Sequence, residues 1–318
     1  MPTPITPAQI TSLMTGFRRD FQGGLTAAPS QYQQIAMTVP STSKSNTYGW
    51  LGQFPQFREW IGARVIQQLK AHGYFITNKT WEDTVSINRD DFEDDNLGIY
   101  SPMFQELGRQ GGVQPDFLTF KALADGDKTA CYDGQNFFDV DHPVYPKADG
   151  SGTAESVSNF YTQQVPPAKE GDPATPYAGP RWYLLDCSRA VKPLIFQNRR
   201  KLELVAQTNI AEGVAFTDNE FVFGASMRNN VGYGFWQMAY AMQAELTADN
   251  LWLGWQAMRA FKGDGGQPLA LKPTHIVVPP SLEKKATQLL ERELYADGGN
   301  TVSNELKGKL KLVVADYL

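Results

Sequence analysis

One short stretch of this 318-residue chain carries side chains that could do chemistry. Between Thr129 and His142 lie a thiol, Cys131, and the compact group Asp139-Val140-Asp141-His142, followed by Pro143. Imidazole, carboxylate and thiolate are the usual zinc ligands, and a carboxylate near an imidazole can also work as an acid–base pair. A hydrolase or metal enzyme using Asp139, Asp141 and His142 is therefore one reading. The rest of the chain works against it. There are three histidines in all, and no second cluster completes a coordination shell. Short polar side chains beside a proline serve equally well as turn and cap groups. The sequence is accordingly read as having no catalytic, cofactor-binding or metal-binding residue. Asp139, Asp141 and His142 are assigned structural use, and Cys131 and Cys187 are expected to be buried small hydrophobes.

Two other stretches mimic sites. Arg89-Asp90-Asp91-Phe92-Glu93-Asp94-Asp95 is acidic but lacks the spacing and glycine of a calcium loop, so a solvated turn or helix start is expected. Gly263-Asp264-Gly265-Gly266 is glycine-rich, yet no Gly-Lys-Ser/Thr follows to make a phosphate loop.

Composition narrows the class. The net charge is −5, which gives no global basic field for nucleic acid. No apolar run approaches the roughly 18 residues of a membrane span, and Met1-Pro2-Thr3-Pro4 does not begin a signal peptide. Two cysteines cannot make a disulfide framework, so a reducing compartment is expected. Aromatic residues make up 12% of the chain, and large aromatics are common anchors at buried interfaces.

The elements that would position these residues follow in order. Thr6 and Pro7 open an amphipathic helix with Ile10, Leu13, Met14, Phe17 and Phe21 on one face and Gly23-Gly24 as the expected stop. Leu25 to Tyr48 reads as an extended arm. The helix either reaches a neighbouring subunit or folds back on its own domain. Trp60 to Asp94 reads as a long hairpin, with Ile61 to Leu69 on one side and Tyr74 to Asn88 returning. Its apolar content is too thin to bury both faces, so it should project and lie on something else. Asn96 to Asp125 is helical, with a kink or break expected near Val113-Gln114 because of Gly108, Gly111, Gly112 and Pro115. Tyr145 to Pro180, dense in proline, reads as a surface loop or insertion.

The centre of the chain is β-rich. Trp182 to Asp186 and Lys192 to Val205 have strand spacing, and Glu220 to about Ala241 shows alternation without a helical period or a proline. Unbroken, that last run would extend about 65 Å. A bend near Asn229-Asn230 or at the glycines is expected to split it. From 247 onward the pattern is helix (capped by Thr247), strand (Thr274 to Pro279), helix (capped by Ser281, with Leu282, Ala286, Leu289, Leu290 and Leu294 inward) and strand (Leu310 to Val314), a small α/β layer.

Several of these segments together resemble the Mu-like major head subunit family of tailed phages. The resemblance rests on Asp94-Asp95 before Leu97-Gly98-Ile99-Tyr100, on Pro115-Asp116 before Phe117 to Leu123, and on Asp133 to Phe138 running into Asp139 to Pro143. Trp182 to Asp186 with Lys192 to Gln197 is the most specific part, and Val277 to Leu282 is the last. The resemblance implies an α+β fold of the Hong Kong 97-type capsid class. On that template residues 1–48 are an N-terminal helix and arm, and 49–95 an extended-loop hairpin with its flanks. Residues 96–245 are a peripheral domain whose spine helix is 97–125, and 246–318 an axial domain. In relatives with the usual order, a strand like Lys309 to Val314 runs on into one like Trp182 to Asp186. Here they are far apart in sequence, so a permuted order is expected, with both strands in one sheet.

The function implied is that of a major capsid protein, self-assembling as pentamers and hexamers of an icosahedral shell. Implied partners are scaffold and portal proteins and packaged double-stranded DNA held without sequence-specific contacts, with no membrane. The implied place is the virion head, assembled in a bacterial host's cytoplasm. The alternatives are a cellular, encapsulin-like shell and the metal-dependent hydrolase above.

Overall fold

The computed structural model of the chain describes residues 7–51, 73–94, 98–147, 150–166, 173–297 and 300–318. In chain order the first half contains α1 (Pro7–Ala27), α2 (Tyr32–Ile35), β1 (Ala36–Pro40), β2 (Ser45–Thr47), β3 (Phe75–Thr77), β4 (Lys79–Asn88), α3 (Arg89–Glu93) and α4 (Ser101–Ala124). Short strands β5 (His142–Val144), β6 (Glu155–Val157), β7 (Phe160–Thr162), β8 (Gln164–Val165) and β9 (Thr175–Pro176) follow. The centre holds β10 (Trp182–Leu185), β11 (Leu194–Gln207), α5 (Val214–Thr217), β12 (Glu220–Tyr233) and β13 (Ala239–Gln243). The last part holds α6 (Ala248–Arg259), β14 (His275–Val278), α7 (Glu283–Glu291), β15 (Leu294–Asp297), β16 (Asn300–Ser303) and β17 (Lys311–Val314).

Two sheets organise the molecule. One has the order β1-β11-β12-β4. Its central strands are 14 residues each, about 46 Å at strand rise. Along β12, Phe221, Phe223, Ala225 and Met227 are buried, while the residues between them are partly exposed. Period two therefore puts one face of the sheet on the helices and the other toward solvent. The helices are α1 and α4, whose Phe17 and Phe104 rings stack at 4.2 Å and meet Phe223 edge-on. Four side chains of α1 (Ile10, Met14, Phe17, Phe21) are buried there, each worth on the order of 1.5–3 kcal/mol against exposure. Of the two expectations for this helix, the structure has it folded back on its own chain.

The second sheet has the order β17-β14-β10-β13-β7. All four residues of β10 are buried, which is why that segment reads as a continuous apolar run and not as an alternation. β14 and β13 flank it antiparallel, and β17 and β7 extend the sheet by parallel pairing. The strands at 311–314 and 182–185 thus share one sheet, with β14 between them.

Several expectations need correction. α1 does not stop at Gly23-Gly24 but runs to Ala27, and its Thr6 cap lies outside the described residues. Gly24 and Gly108 instead let α1 and α4 approach: a Cβ on Gly24 would lie 1.8 Å from the Gln105 carbonyl oxygen, and one on Gly108 2.0 Å from that of Phe21. α4 is continuous through Gly111, Gly112 and Pro115, because packing on both sides outweighs the weak local propensity. Its 24 residues span about 36 Å. The segment after α1 is extended at β1, but it is built into the first sheet, parallel to β11, and does not hang free. Asp116 ties it to α4 by accepting the backbone N–H groups of Gln31 and Tyr32 at 2.8 Å.

The return strand of the expected hairpin, β4, is an edge strand of the first sheet, paired along its length with β12. The other side, Ile61 to Leu69, lies outside the described residues. β12 passes straight through Asn229-Asn230 and ends at Gly234, whose N–H donates to Pro193 O at 2.7 Å. The register slips in β11 instead, around Arg200. The proline-dense stretch is not merely a loop, since β7 is an edge strand of the second sheet. Ser281 lies in a short 3-10 turn ahead of α7 and caps nothing, and Leu294 starts β15 and is exposed. The Thr247 cap holds, its hydroxyl accepting from Asn250 N at 3.2 Å.

Candidate functional site

The cluster between Cys131 and His142 folds as a tight hairpin, with Cys131 N donating to Gln135 O at 2.8 Å and Ala130 bridging Asn136. That turn carries Asp133 inward. One Asp133 oxygen accepts from the Cys131 thiol and from Gln135 N, each at 3.1 Å; the other lies 2.7 Å from His142 Nδ1. His142 is fully buried, and its ring stacks on Trp236 at 4.0 Å and 8°. Its Nε2 lies 3.2 Å from Asn159 Oδ1. Asn159 is equally buried; its amide donates to Phe137 O at 2.8 Å and its oxygen accepts Asp139 N at 2.9 Å.

The residues singled out from sequence are only partly brought together. His142 is at the centre, but both ring nitrogens are occupied by Asp133 and Asn159. Asp139 is a turn group, accepting from Asn136 N at 3.2 Å and from Val140 N at 2.7 Å. Asp141 is exposed, and a hydrogen bond shared with the Asp139 carboxyl holds its pKa above the ordinary value. Asp133 was legible only as part of a motif, and Asn159 sat in a stretch read as loop, so neither stood out as a site residue.

The ligand atoms of Cys131, Asp133 and His142 lie within 4.8 Å of one another, so the group must be tested as a metal centre. A thiol ligates as thiolate. Burial, then the charge of Asp133, then its hydrogen bond with Asp133 push the Cys131 thiol well above its usual range. The sulfur is a donor to the carboxylate and is not suited to be a ligand. Burial alone would raise the Asp133 carboxyl as well, but bonding to His142, the His142 charge and the Cys131 and Gln135 donors bring it below its ordinary value. Nucleophilic catalysis fails on order: a base must touch the nucleophile, and here Asp133 stands between Cys131 and His142. The arrangement is a buried polar lock that pins the 131–142 segment to β7 and to Trp236.

The larger features are extended ones: a 24-residue helix lying along a ribbon of two 14-residue strands, and a second sheet closed by β17. These are the proportions of a subunit that spans distance. Residues 10–318 match the Mu-like prophage major head subunit gpT family. The chain is 64% identical over 314 residues to the major capsid protein of Escherichia phage Mu, covering 99% of each. It is 51% identical over 315 residues to the Mu-like prophage FluMu major head subunit of Haemophilus influenzae, again covering 99% of each. Among solved structures, the procapsid of bacteriophage JBD30 superposes with a TM-score of 0.81 at 47% identity, covering 99% of this chain and 100% of that one. The JBD30 capsid gives 0.73 at 35% identity, covering 99% of both. The mixed α+β architecture is thus a capsid-protein fold. The chain belongs to the Mu-like prophage major head subunit gpT family: it is a major capsid protein, a structural subunit of the icosahedral phage head and not an enzyme.

Proposed function

We propose that the chain follows the Hong Kong 97-type plan in a permuted order and assembles as pentamers and hexamers. Residues 1–48 form the N-terminal helix and arm, 49–95 the extended loop and its flanks, 96–245 the peripheral domain with α4 as spine, and 246–318 the axial domain. The observation that supports this reading most is the second sheet, in which β17 and β10 lie in one layer although they are far apart in sequence. That sheet takes strands from both sides of residue 246, so the axial unit draws β7, β10 and β13 from the preceding segment.

Scaffold and portal proteins are the expected partners in assembly. The JBD30 capsid is also known decorated with minor capsid protein trimers, and a comparable decorating protein fits this shell. Packaged double-stranded DNA would be enclosed without sequence-specific contacts, in keeping with a net charge of −5. Many modest contacts repeated by symmetry would make the shell strong. The test is sedimentation and negative-stain microscopy of the purified chain, alone and with scaffold. Closed particles or five- and six-fold rings are expected; a persistent folded monomer in both samples would overturn the reading.

A further inference from the structure

The solvent face of the first sheet is electrically polarised along its length. Arg200 pairs directly with Arg228 across β11 and β12, and the next strand brings Thr80 alongside, with Lys79 one position further. Arg199 and Lys201 flank the pair and are exposed. Like charges directly opposite on a sheet are unfavourable, yet none of these five cations forms an ion pair with a described residue. Arg200 donates only to the Ser226 hydroxyl at 3.0 Å, and Arg228 Nε is buried without a partner. Glu82 and Glu203 lie further along the ribbon, facing Ser226 from either side.

At the other end of the ribbon the sign reverses. β4 ends at Asn88, opposite Glu220, and runs into α3. Asp90, Asp91 and Asp94 are exposed there, joined by Glu212 and Asp218 of the connection between β11 and β12. None of these five carboxylates forms an ion pair with a described residue either. The eight residues of β4 between Thr80 and Asn88 put the two ends about 27 Å apart. The Debye length is about 8 Å at physiological ionic strength, so within one chain the ends cannot neutralise each other.

We propose that the arginine end of this ribbon docks on the acidic end of a second copy of the same chain. Like ends repel, which disfavours a two-fold contact at either end. Unlike ends fit head to tail, and a heterologous contact of that kind closes rings. The chain thereby carries its own complementary partner, and the ribbon sets both the direction and the salt sensitivity of the ring contact.

The experiment is charge reversal at one end and then at both. Arg200→Glu with Arg228→Glu, and separately Asp94→Lys with Glu212→Lys, are expected to leave circular dichroism and Tm close to wild type. Each should cut the yield of sedimenting rings or shells, made with scaffold, at least tenfold against a wild-type control. The four substitutions combined should restore assembly, because the ribbon is then reversed but still polar. Normal shells from either pair alone would overturn the proposal, as would failure of the folded fourfold variant to assemble. Arginine-end variants that form normal shells but lose packaged DNA would assign that end to the genome instead.

Discussion

The side-chain amides of Gln114 and Asn229 face each other and exchange two hydrogen bonds, at 3.2 and 3.0 Å, between the middle of α4 and the solvent-shielded face of β12. Asn229 is 2% exposed. Losing its partner would leave a buried amide unsatisfied, at about 1–3 kcal/mol. Gln114→Ala should therefore lower the urea midpoint, and Asn229→Ala should do the same. Adding the second substitution to the first should cost much less than it does alone, since the pair is one unit. Strict additivity in this cycle would mean that the two amides stabilise the fold separately.

The α1–α4 crossing gives a sharper contrast between two glycines. Gly16→Ala meets nothing within 4 Å, so helix propensity alone acts and should add up to about 1 kcal/mol of stability. Gly108→Ala gains the same propensity but drives its Cβ into the Phe21 carbonyl, a backbone atom that cannot swing aside. Overpacking of that kind costs about 1–3 kcal/mol. Thermal unfolding should move up for the first variant and down for the second. Amide exchange in 10–24 should quicken in Gly108→Ala alone; equal protection in both variants would show that the crossing is looser than drawn.

The Cys131–Asp133–His142 lock should make the subunit acid-sensitive. A carboxyl whose pKa is lowered on folding contributes fully above its unfolded value near 3.9, and the contribution fades as pH falls through the lower folded value. Stability measured from pH 7 downward should therefore fall below about pH 4, and Asp133→Asn should flatten that fall. His142→Ala breaks a buried pair and should cost about 3–5 kcal/mol at neutral pH. Zinc or chelator should leave Tm unmoved. A zinc-dependent rise would return the cluster to the metal centres.

Much of the fold was legible because local pattern and tertiary role agree. Thr247 caps α6 and its apolar face (Leu251, Trp255, Met258) is the buried one; β10, β14 and β17 fall where apolar runs put them. The misreadings share a cause. Gly24, Gly108, Gly111 and Gly112 look like breakers in sequence, and only tertiary contact shows that they serve close approach. β4 looks too polar to be buried because one of its faces is solvent and its apolar positions serve a core made by α1 and α4. At the cluster, histidine and aspartate drew the eye as chemistry. The partners that decide their role, Asp133 and Asn159, are an ordinary turn aspartate and an asparagine in a proline-rich stretch.

The second sheet also sets a schedule for synthesis. β10, its innermost strand, pairs with β13 soon after both are made, but β14 and then β17 arrive only when the far end of the sequence has left the ribosome. Non-local pairing of this kind folds slowly. Until it completes, the apolar edge of β10 stays open and the nascent chain has no finished axial face to offer its neighbours. The late strands thus act as a timer, withholding assembly competence from every chain that is still incomplete.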